Sequence, residues 1–190
     1  MSSPADPFTL IGSTLADKYR VDRLIGEGGF GVVYAGYHLL LGQPVAIKCM
    51  KPSSGDAAEQ QRVTDLFLRE ARVLFGLTHP NIVRMYDVAT LPMRAPLPSG
   101  AFAPQVPYVV LELIEGRSLQ AEVANRRAQG GPHFAAAELS GIFHPILEAI
   151  GFAHGHGVVH RDLKPSNVML VGPPTGGTVK VVDFGIARVA

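Results

Sequence analysis

The sequence predicts an α+β fold, in which an antiparallel sheet with one main helix precedes a mainly helical part. Apolar and charged residues alternate from Tyr19 to Leu24, as in a half-buried strand. The apolar run at 108–111 has the length of a buried strand. Between Leu139 and Ile150 the apolar residues recur with a 3.6-residue period, which indicates a helix.

Length, composition and charge narrow the class of protein. The 190 residues suit one domain, or one small lobe with part of a second, and 47% hydrophobic residues can form a sizeable core. A net charge of +1 supplies no field that attracts nucleic acid, so we expect no nucleic-acid partner. The single cysteine, Cys49, suits a reducing compartment. Neither a signal peptide nor a membrane segment is recognisable, so we expect a cytoplasmic protein.

A glycine-rich segment follows the first strand. Gly26, Gly28 and Gly31 form the pattern G-x-G-x-x-G, and Val33 stands two residues further on. In dinucleotide-binding folds a helix follows such glycines. Residues 32–37 are instead β-branched and aromatic, which favours a hairpin whose backbone N–H groups approach phosphates. A purely structural hairpin is the alternative.

The segment Pro44–Lys48 reads as a strand. Alternation places Ala46 and Lys48 on one face, and an inward lysine is costly unless an anion meets it. An ordinary lysine of an edge strand is the alternative. We expect Ala46 to leave room for a planar ring and Lys48 to contact phosphates.

A helix is predicted from Thr64, after a polar and flexible stretch at 52–61. Phe67, Ala71 and Leu74 share one face, and Glu70 lies among them. A carboxylate in an apolar stripe requires a cation, and we predict Lys48 as its partner. The alternatives are local pairing of Glu70 with Arg69 or Arg72, and Glu59 as the partner of Lys48.

The segment His160–Asn167 concentrates groups suited to phosphoryl transfer. Asp162 can accept a proton from a hydroxyl, Asn167 can ligate a divalent metal, and Lys164 can offset phosphate charge. A zinc site at His154, His156 and His160 is disfavoured, because glycines separate these histidines and no carboxylate or thiol joins them. We expect His160 to brace the loop by packing.

Together these segments resemble the protein kinase family, most closely its bacterial-type serine/threonine members. The glycine loop, V-A-I-K at 45–48, the helix glutamate, H-R-D-L-x-x-x-N at 160–167 and D-F-G at 183–185 occur in the family's order. The resemblance covers residues 17–190. It implies a kinase-like fold with a flexible leader at 1–16, an N-lobe and hinge at 17–115, and part of a helical C-lobe at 116–190.

The resemblance also implies ligands and residue roles. The ligands are ATP, Mg²⁺ (with Mn²⁺ as the alternative), and a protein substrate that offers a serine or threonine hydroxyl. Catalysis would use Asp162, Lys164, Lys48 and Glu70, and the metal would be held by Asn167 and Asp183. The nucleotide would be bound by Gly26, Glu27, Gly28, Gly29, Phe30, Gly31, Val33, Ala46, Lys48, Glu112, Ile114, Ser118 and Met169.

Within that set, the hinge residues act through the backbone. The carbonyl of Glu112 and the N–H of Ile114 would contact the adenine edge, with Leu111 at the back of the pocket. Ser118 would either contact the ribose or cap the next helix.

Some features depart from the family. Residues 91–107 carry five prolines and are expected to form an exposed loop that is longer than usual. Pro145 interrupts a helical pattern and predicts a bend. The sequence ends soon after D-F-G, before an activation segment, which suggests a fragment or a chain completed by something else. Two rivals follow: a non-catalytic pseudokinase-like module, and a dinucleotide-binding oxidoreductase with a helix directly after Gly31.

Overall fold

The computed structural model describes residues 6–29, 31–51, 57–91, 95–96, 102–103, 105–131, 134–173 and 177–184. Phe30 and the residues after Phe184 therefore lie outside the described ranges. The described chain divides into two compact units. The first comprises 6–75 and 85–113, and the second comprises 76–84 and 114–184. The assignment of lobes to 17–115 and 116–190 stays a prediction.

The first unit is built on an antiparallel sheet. Its strands are β1 (Thr14–Leu15), β2 (Tyr19–Glu27), β3 (Gly31–His38), β4 (Gln43–Met50), β5 (Met85–Leu91), β6 (Ala95–Pro96), β7 (Phe102–Ala103) and β8 (Val106–Glu112), and its helix α1 spans Ala57–Phe75. Six of these strands form one sheet in the order β1-β2-β3-β4-β8-β5, while β6 and β7 pair with each other. Helix α1 lies against β5 and β8. The sheet and its single helix confirm the predicted α+β architecture of this part.

One face of this sheet carries the main apolar core. Alternate residues of β3, β4 and β8 are fully buried there, and they include Tyr34, Ile47, Cys49, Tyr108 and Val110. Burial raises the pKa of the Cys49 thiol to about 12, so the thiol stays protonated and unreactive near neutral pH. Cys49 is therefore a packing residue of the core.

The prediction of a flexible leader at 1–16 is wrong for its described part, residues 6–16. Phe8, Leu10 and Leu15 are buried in the main core cluster, and β1 extends the sheet by pairing with β2. Asp6 accepts a hydrogen bond of 2.6 Å from the Tyr34 hydroxyl and bonds from the backbone N–H groups of two residues close to it. These bonds lower the pKa of Asp6 despite its partial burial. The segment is thus an integral layer of the first unit.

Helix α1 begins earlier than predicted, at Ala57 instead of Thr64. Gln60 and Thr64 are buried one and two turns into the helix, on the face that continues through Phe67 and Ala71. The buried face therefore starts with polar side chains. An apolar periodicity cannot reveal such a start, which is why 52–61 resembled a flexible stretch.

The described residues of the proline-rich stretch include short strands, which corrects the prediction of a simple exposed loop over 91–107. Leu91 ends β5, Ala95–Pro96 pairs with Phe102–Ala103, and β8 already begins at Val106. Pro107 is fully buried within β8. It pairs with Thr90 of β5, whereas the pairing of β8 with β4 starts only at Tyr108. At Pro107 the strand β8 therefore has a paired neighbour on one side only, as in an edge strand, and there a missing N–H is tolerated.

The second unit contains helices and a small sheet. Its elements are β9 (Arg117–Ser118), α2 (Leu119–Ala128), α3 (Ala136–Gly155), a 3₁₀ turn (Pro165–Asn167), β10 (Val168–Val171) and β11 (Thr178–Val181). Strand β10 pairs with both β9 and β11 in antiparallel fashion. Helix α3 continues through Pro145, and the bend expected there stays a prediction. Within the described ranges, no helix combines the length and apolar character required to cross a bilayer.

Candidate active site

The glycine segment forms a tight strand–turn–strand connection in the first unit. Strand β2 ends at Glu27 and β3 begins at Gly31, and the N–H of Gly28 donates to the carbonyl of Gly31 at 2.9 Å. A Cβ added at Gly26, Gly28 or Gly29 would meet no atom within 4 Å. The backbone at these three positions therefore offers open space that a phosphate group can approach. Phe30, a predicted nucleotide contact, lies outside the described ranges.

Gly31 differs from the glycines before it. A Cβ at this position would lie 2.5 Å from the backbone carbonyl oxygen of Cys49, on the paired strand β4. We expect Gly31→Ala to lower the free energy of unfolding by roughly 1–3 kcal/mol, because backbone must move to admit the methyl group. Denaturant unfolding measures this loss. In the matched variant Gly28→Ala the change should stay within about 0.5 kcal/mol, and equal losses in both variants would contradict the close approach.

Four residues predicted to bind the nucleotide share one face of the sheet. Val33 stands opposite Lys48, and on the other side of Val33 stands Gly26 of β2. Ala46 lies two residues before Lys48 on the same face, opposite Leu111 of β8. Ala46 is 8% exposed and Lys48 is half-buried. The register thus groups these side chains on the face opposite the main core.

Glu70 occupies the predicted face of helix α1. It is half-buried and stands between the buried residues Phe67 and Ala71. Glu59 lies in the exposed first turn of the same helix. The pairing of Glu70 with Lys48 stays a prediction.

Glu27 has a clear partner at the end of the glycine segment. Its carboxylate forms an ion pair of 2.6 Å with the ammonium group of Lys51, just beyond β4. This exposed pair ties the last residue of β2 to the end of β4. As an exposed pair it contributes little to stability.

The loop around Asp162 is held by its own side chains. The ammonium group of Lys164 lies 2.9 Å from one carboxylate oxygen of Asp162. The amide nitrogen of Asn167 donates to the Asp162 carbonyl at 2.9 Å and approaches the same carboxylate oxygen at 3.4 Å. Asn167 is 6% exposed, whereas the Asp162 side chain is 21% exposed. The structure therefore brings together a fixed but accessible acid, a lysine and a buried amide.

His160 braces this loop, as predicted. It is 2% exposed, its ring packs 4.5 Å from the Phe184 ring, and its Nε2 lies 3.0 Å from the carbonyl oxygen of Val182. Its Nδ1 accepts from the Asp162 N–H at 3.3 Å. These partners assign the proton of a neutral imidazole to Nε2. Burial lowers the pKa of His160, although the Val182 carbonyl and nearby carboxylates oppose this shift.

The lowered pKa of His160 predicts an acid-sensitive fold. The folded state prefers neutral imidazole, so the unfolded chain binds more protons, and stability declines as the pH falls below about 6.5. When the pH is lowered from 7.5 to 5.5, the thermal unfolding temperature of the natural chain should fall more steeply than that of His160→Gln. The exposed His144 supplies the control, and His144→Gln should follow the natural chain. Parallel curves for all three proteins would refute a buried neutral His160.

The aspartate of D-F-G lies two residues beyond the end of β11, and the residue between them is bonded to this loop. The Val182 N–H donates to the Asn167 carbonyl at 2.9 Å, one residue before Asp183. Both Arg161 and Asp183 have left-handed backbones, with φ of 59° and 57°. Such conformations are costly for residues with a side chain and are frequent at functional sites. They occur here directly beside Asp162 and at Asp183 itself.

Asn81 has a structural role that sequence reasoning missed. Its side-chain amide nitrogen donates to the backbone carbonyl of Val179 at 2.8 Å. Its backbone carbonyl accepts a bond of 2.8 Å from the Val181 N–H. The Val83 N–H donates to the Val181 carbonyl in turn. Residues 81–83 thus pair with β11, the strand that leads to Asp183. The sequence signal for this role was an asparagine that follows a proline. The strand to which Asn81 bonds lies almost a hundred residues later, so the signal did not identify its partner.

Ser118 and Met169 pair with each other across β9 and β10. The Ser118 hydroxyl accepts from the Ala121 N–H at 3.1 Å and caps helix α2. Of its two predicted roles, the cap is thus the one with an observed contact. Met169 is half-buried, as are Glu112 and Ile114 at the predicted hinge. The roles of these four residues in nucleotide binding stay predictions.

A comparison with models of known protein families identifies the family of this chain. A model of the protein kinase domain matches residues 19–190. The chain belongs to the protein kinase family. The resemblance inferred from the motifs is thereby confirmed. The rival oxidoreductase is wrong, because β3 begins at Gly31, where that fold requires a helix.

Among curated proteins, bacterial serine/threonine kinases are prominent relatives. The probable serine/threonine-protein kinase PknB of Corynebacterium glutamicum is 36% identical over 174 residues, which cover 92% of this chain and 24% of that protein. PrkC of Bacillus subtilis, a serine/threonine-protein kinase, is 34% identical over 178 residues, or 94% and 24% of the two chains. This chain spans about a quarter of the length of these relatives.

The solved kinase domain of Mycobacterium tuberculosis PknI has the same fold. It superposes with a TM-score of 0.70 at 27% identity, over 93% of this chain and 63% of that one. The protein kinase family uses ATP and a divalent metal. The open backbone of the glycine segment fits a phosphate ligand, and the side-chain oxygens of Asn167 and Asp183 are of the chemical type that a hard divalent cation prefers.

Proposed function

We propose that this domain transfers the γ-phosphoryl group of ATP to serine or threonine hydroxyls of protein substrates. The observation that carries the proposal is the bonded loop of Asp162, Lys164 and Asn167, joined through Val182 to Asp183. Membership of the kinase family and the serine/threonine kinases among its relatives support the same reaction. Its protein substrates belong to the proposal as well, because the chain spans only part of its relatives.

In this reaction Asp162 is the proton acceptor. The substrate hydroxyl oxygen forms a bond to the γ-phosphorus, the bond to the bridging oxygen of ADP breaks, and the hydroxyl proton passes to the Asp162 carboxylate. Lys164 lies beside that carboxylate and can offset charge on the transferred group. The Asn167 amide orients Asp162 from the buried side of the loop.

Asn167 and Asp183 are the proposed metal ligands. The Asn167 amide nitrogen donates to Asp162, and its side-chain oxygen, 3.4 Å from the Ser166 hydroxyl, is the atom proposed to bind the cation. A carboxylate and an amide oxygen suit Mg²⁺, which keeps several waters and binds phosphate oxygens, and Mn²⁺ is the alternative. When bound, the metal neutralises charge on the β- and γ-phosphates.

The contacts proposed for the phosphates of the nucleotide lie in the first unit. The backbone of Gly26–Gly31 covers the phosphates, and Lys48, oriented by Glu70, pairs with them. Val33 and Ala46 contact the adenine ring, with Met169 and the hinge backbone at Glu112 and Ile114. The grouping of Val33, Ala46 and Lys48 on one sheet face supports this assignment. We further propose a cytoplasmic location, in keeping with a free, buried Cys49 thiol.

The test is transfer of label from γ-labelled ATP to a mixture of peptides that contain serine, threonine or tyrosine, with Mg²⁺ present. We expect phosphoserine and phosphothreonine without phosphotyrosine. Phosphotyrosine as the main product would overturn the serine/threonine assignment. Nucleotide binding without turnover would instead support the rival pseudokinase-like module, and the absence of both would overturn the nucleotide site as well.

A further inference from the structure

The second unit contains a cavity that the proposed reaction does not use. It lies among helix α2, helix α3 and the β10–β11 hairpin, and its volume is about 380 Å³. That volume falls within the range of small-molecule sites. Leu170 lines the cavity, whereas its neighbour Met169, a predicted nucleotide contact, does not. None of the lining residues is among those proposed to bind the nucleotide or the metal.

Four charged side chains line one side of this cavity. Glu122 is buried and accepts from Arg117 and, at 2.8 Å, from Arg126. Arg126 also binds both oxygens of Glu138, which accepts the Ala135 N–H in addition. These contacts hold the pKa of Glu138 at about 2, chiefly because of Arg126. The network is thus rigid and stays charged over the physiological pH range.

Both arginines of this network retain hydrogen-bonding capacity, and Arg117 retains more of it. Arg126 donates three of its five N–H groups to two carboxylates and stacks its guanidinium over Phe134, with 4.0 Å to the ring centroid. Arg117 donates through Nε to Glu122 and is 38% exposed. Among the contacts of the described chain, its two terminal nitrogens make no further bond. A guanidinium with free terminal N–H groups recognises a carboxylate.

The remainder of the cavity wall is mostly apolar, with Thr178 as its polar member. Phe134, Ile142, Leu170 and Val171 contribute it, and Ile142 is 7% exposed. A matching ligand therefore has an apolar body next to a single negative group. A ligand with several charges would lose solvation against these side chains.

We propose that this cavity binds a small amphipathic carboxylic acid, with its carboxylate on Arg117 and its apolar body against Ile142 and Leu170. The assignment is independent of phosphoryl transfer and concerns none of the residues proposed for it. Two features make the site specific: a preorganised guanidinium held by a buried carboxylate, and an apolar wall of limited volume.

The experiment uses the whole chain and hydrocinnamate as the probe, with its amide as the uncharged analogue. Binding is followed by calorimetry and by NMR shifts. We expect the acid to bind roughly ten-fold or more tightly than the amide, since a charge-assisted bond to Arg117 is lost in the amide. In Arg117→Gln the acid should no longer bind more tightly than the amide. The control variant is Arg127→Gln, which changes an exposed arginine and should leave the difference between acid and amide unaltered.

A second pair of variants tests the cavity itself. Gly141 lines it, and a Cβ there would meet no atom within 4 Å, so the side chain of Gly141→Leu has an open path into the cavity. Gly151 lies on the same helix with equally open surroundings and does not line the cavity, so Gly151→Leu is the matched control. We expect Gly141→Leu to weaken binding of the acid by about ten-fold or more and Gly151→Leu to leave it unchanged.

Several results would overturn the proposal. The first is that the acid does not bind at concentrations up to about ten millimolar. The second is that the acid and the amide bind equally well, and the third is that Gly141→Leu binds the acid as well as the natural chain does. Tighter binding of a capped apolar peptide that lacks any carboxylate would also overturn it, because the site would then accept a protein segment. Kinase activity does not enter these measurements, so failure here is distinguishable from failure of the proposed phosphoryl transfer.

Discussion

Asp162→Asn is expected to lower the turnover number for peptide phosphorylation by about 10²–10⁴-fold, which is the range that general-base catalysis supplies. Asparagine keeps the size of the side chain and its contact with Asn167, but it cannot accept the proton of the attacking hydroxyl. It also loses the ion pair with Lys164. The Michaelis constant for ATP should change little, because the proposed nucleotide contacts lie elsewhere in the chain.

Steady-state rates on a serine peptide measure this effect. The control is Asp22→Asn, which removes an exposed carboxylate that is paired only with its neighbour on the same strand, Arg20. Unfolding curves show whether the Asp162 variant remains folded. If the folded variant retains its turnover within a few-fold, Asp162 is not the proton acceptor, and the proposed mechanism fails at its central step.

Asn167→Ala is expected to impair both catalysis and stability. Its side chain is nearly buried and holds the Asp162 carbonyl, so removal of the amide should lower the free energy of unfolding by about 1–3 kcal/mol. The same change removes a proposed metal ligand. We expect turnover to fall by about a hundred-fold or more, and the concentration of Mg²⁺ that gives half-maximal rate to rise.

Ser166→Ala is the matched control for Asn167→Ala. Ser166 stands in the same 3₁₀ turn, and its hydroxyl is 3.4 Å from the Asn167 oxygen, so its loss should have a small effect on both readouts. A loss of stability in Asn167→Ala with an unchanged requirement for Mg²⁺ would assign Asn167 a purely structural role. The metal site would then have to be built without it.

The local parts of the candidate site could be predicted from the sequence. Asp162, Lys164 and Asn167 lie within six residues, so the chemistry of one short loop is visible in one short motif. Strand alternation likewise placed Ala46 and Lys48 on a common face, since this depends only on the pleat of a strand. The strand after Gly31 was predicted from β-branched residues for the same local reason.

Features that depend on distant contacts could not be predicted in this way. Phe8 and Leu10 lie among polar and turn-forming residues, and only the sheet they cover shows why they are buried. Gln60 is polar yet buried, so the apolar period gave no sign that α1 begins at Ala57. The bonds of Asn81 join it to a strand almost a hundred residues later, which no local pattern reveals.

The layer formed by residues 6–15 has a practical consequence for work with this chain. The family match starts at Tyr19, yet Tyr34 in the core of the sheet bonds to Asp6. A recombinant version trimmed to the family match would strip Phe8, Leu10 and Leu15 from the sheet and leave a deeply buried phenol hydroxyl without its acceptor. The compact first unit therefore begins upstream of the point at which the family match starts, and expression boundaries should be chosen accordingly.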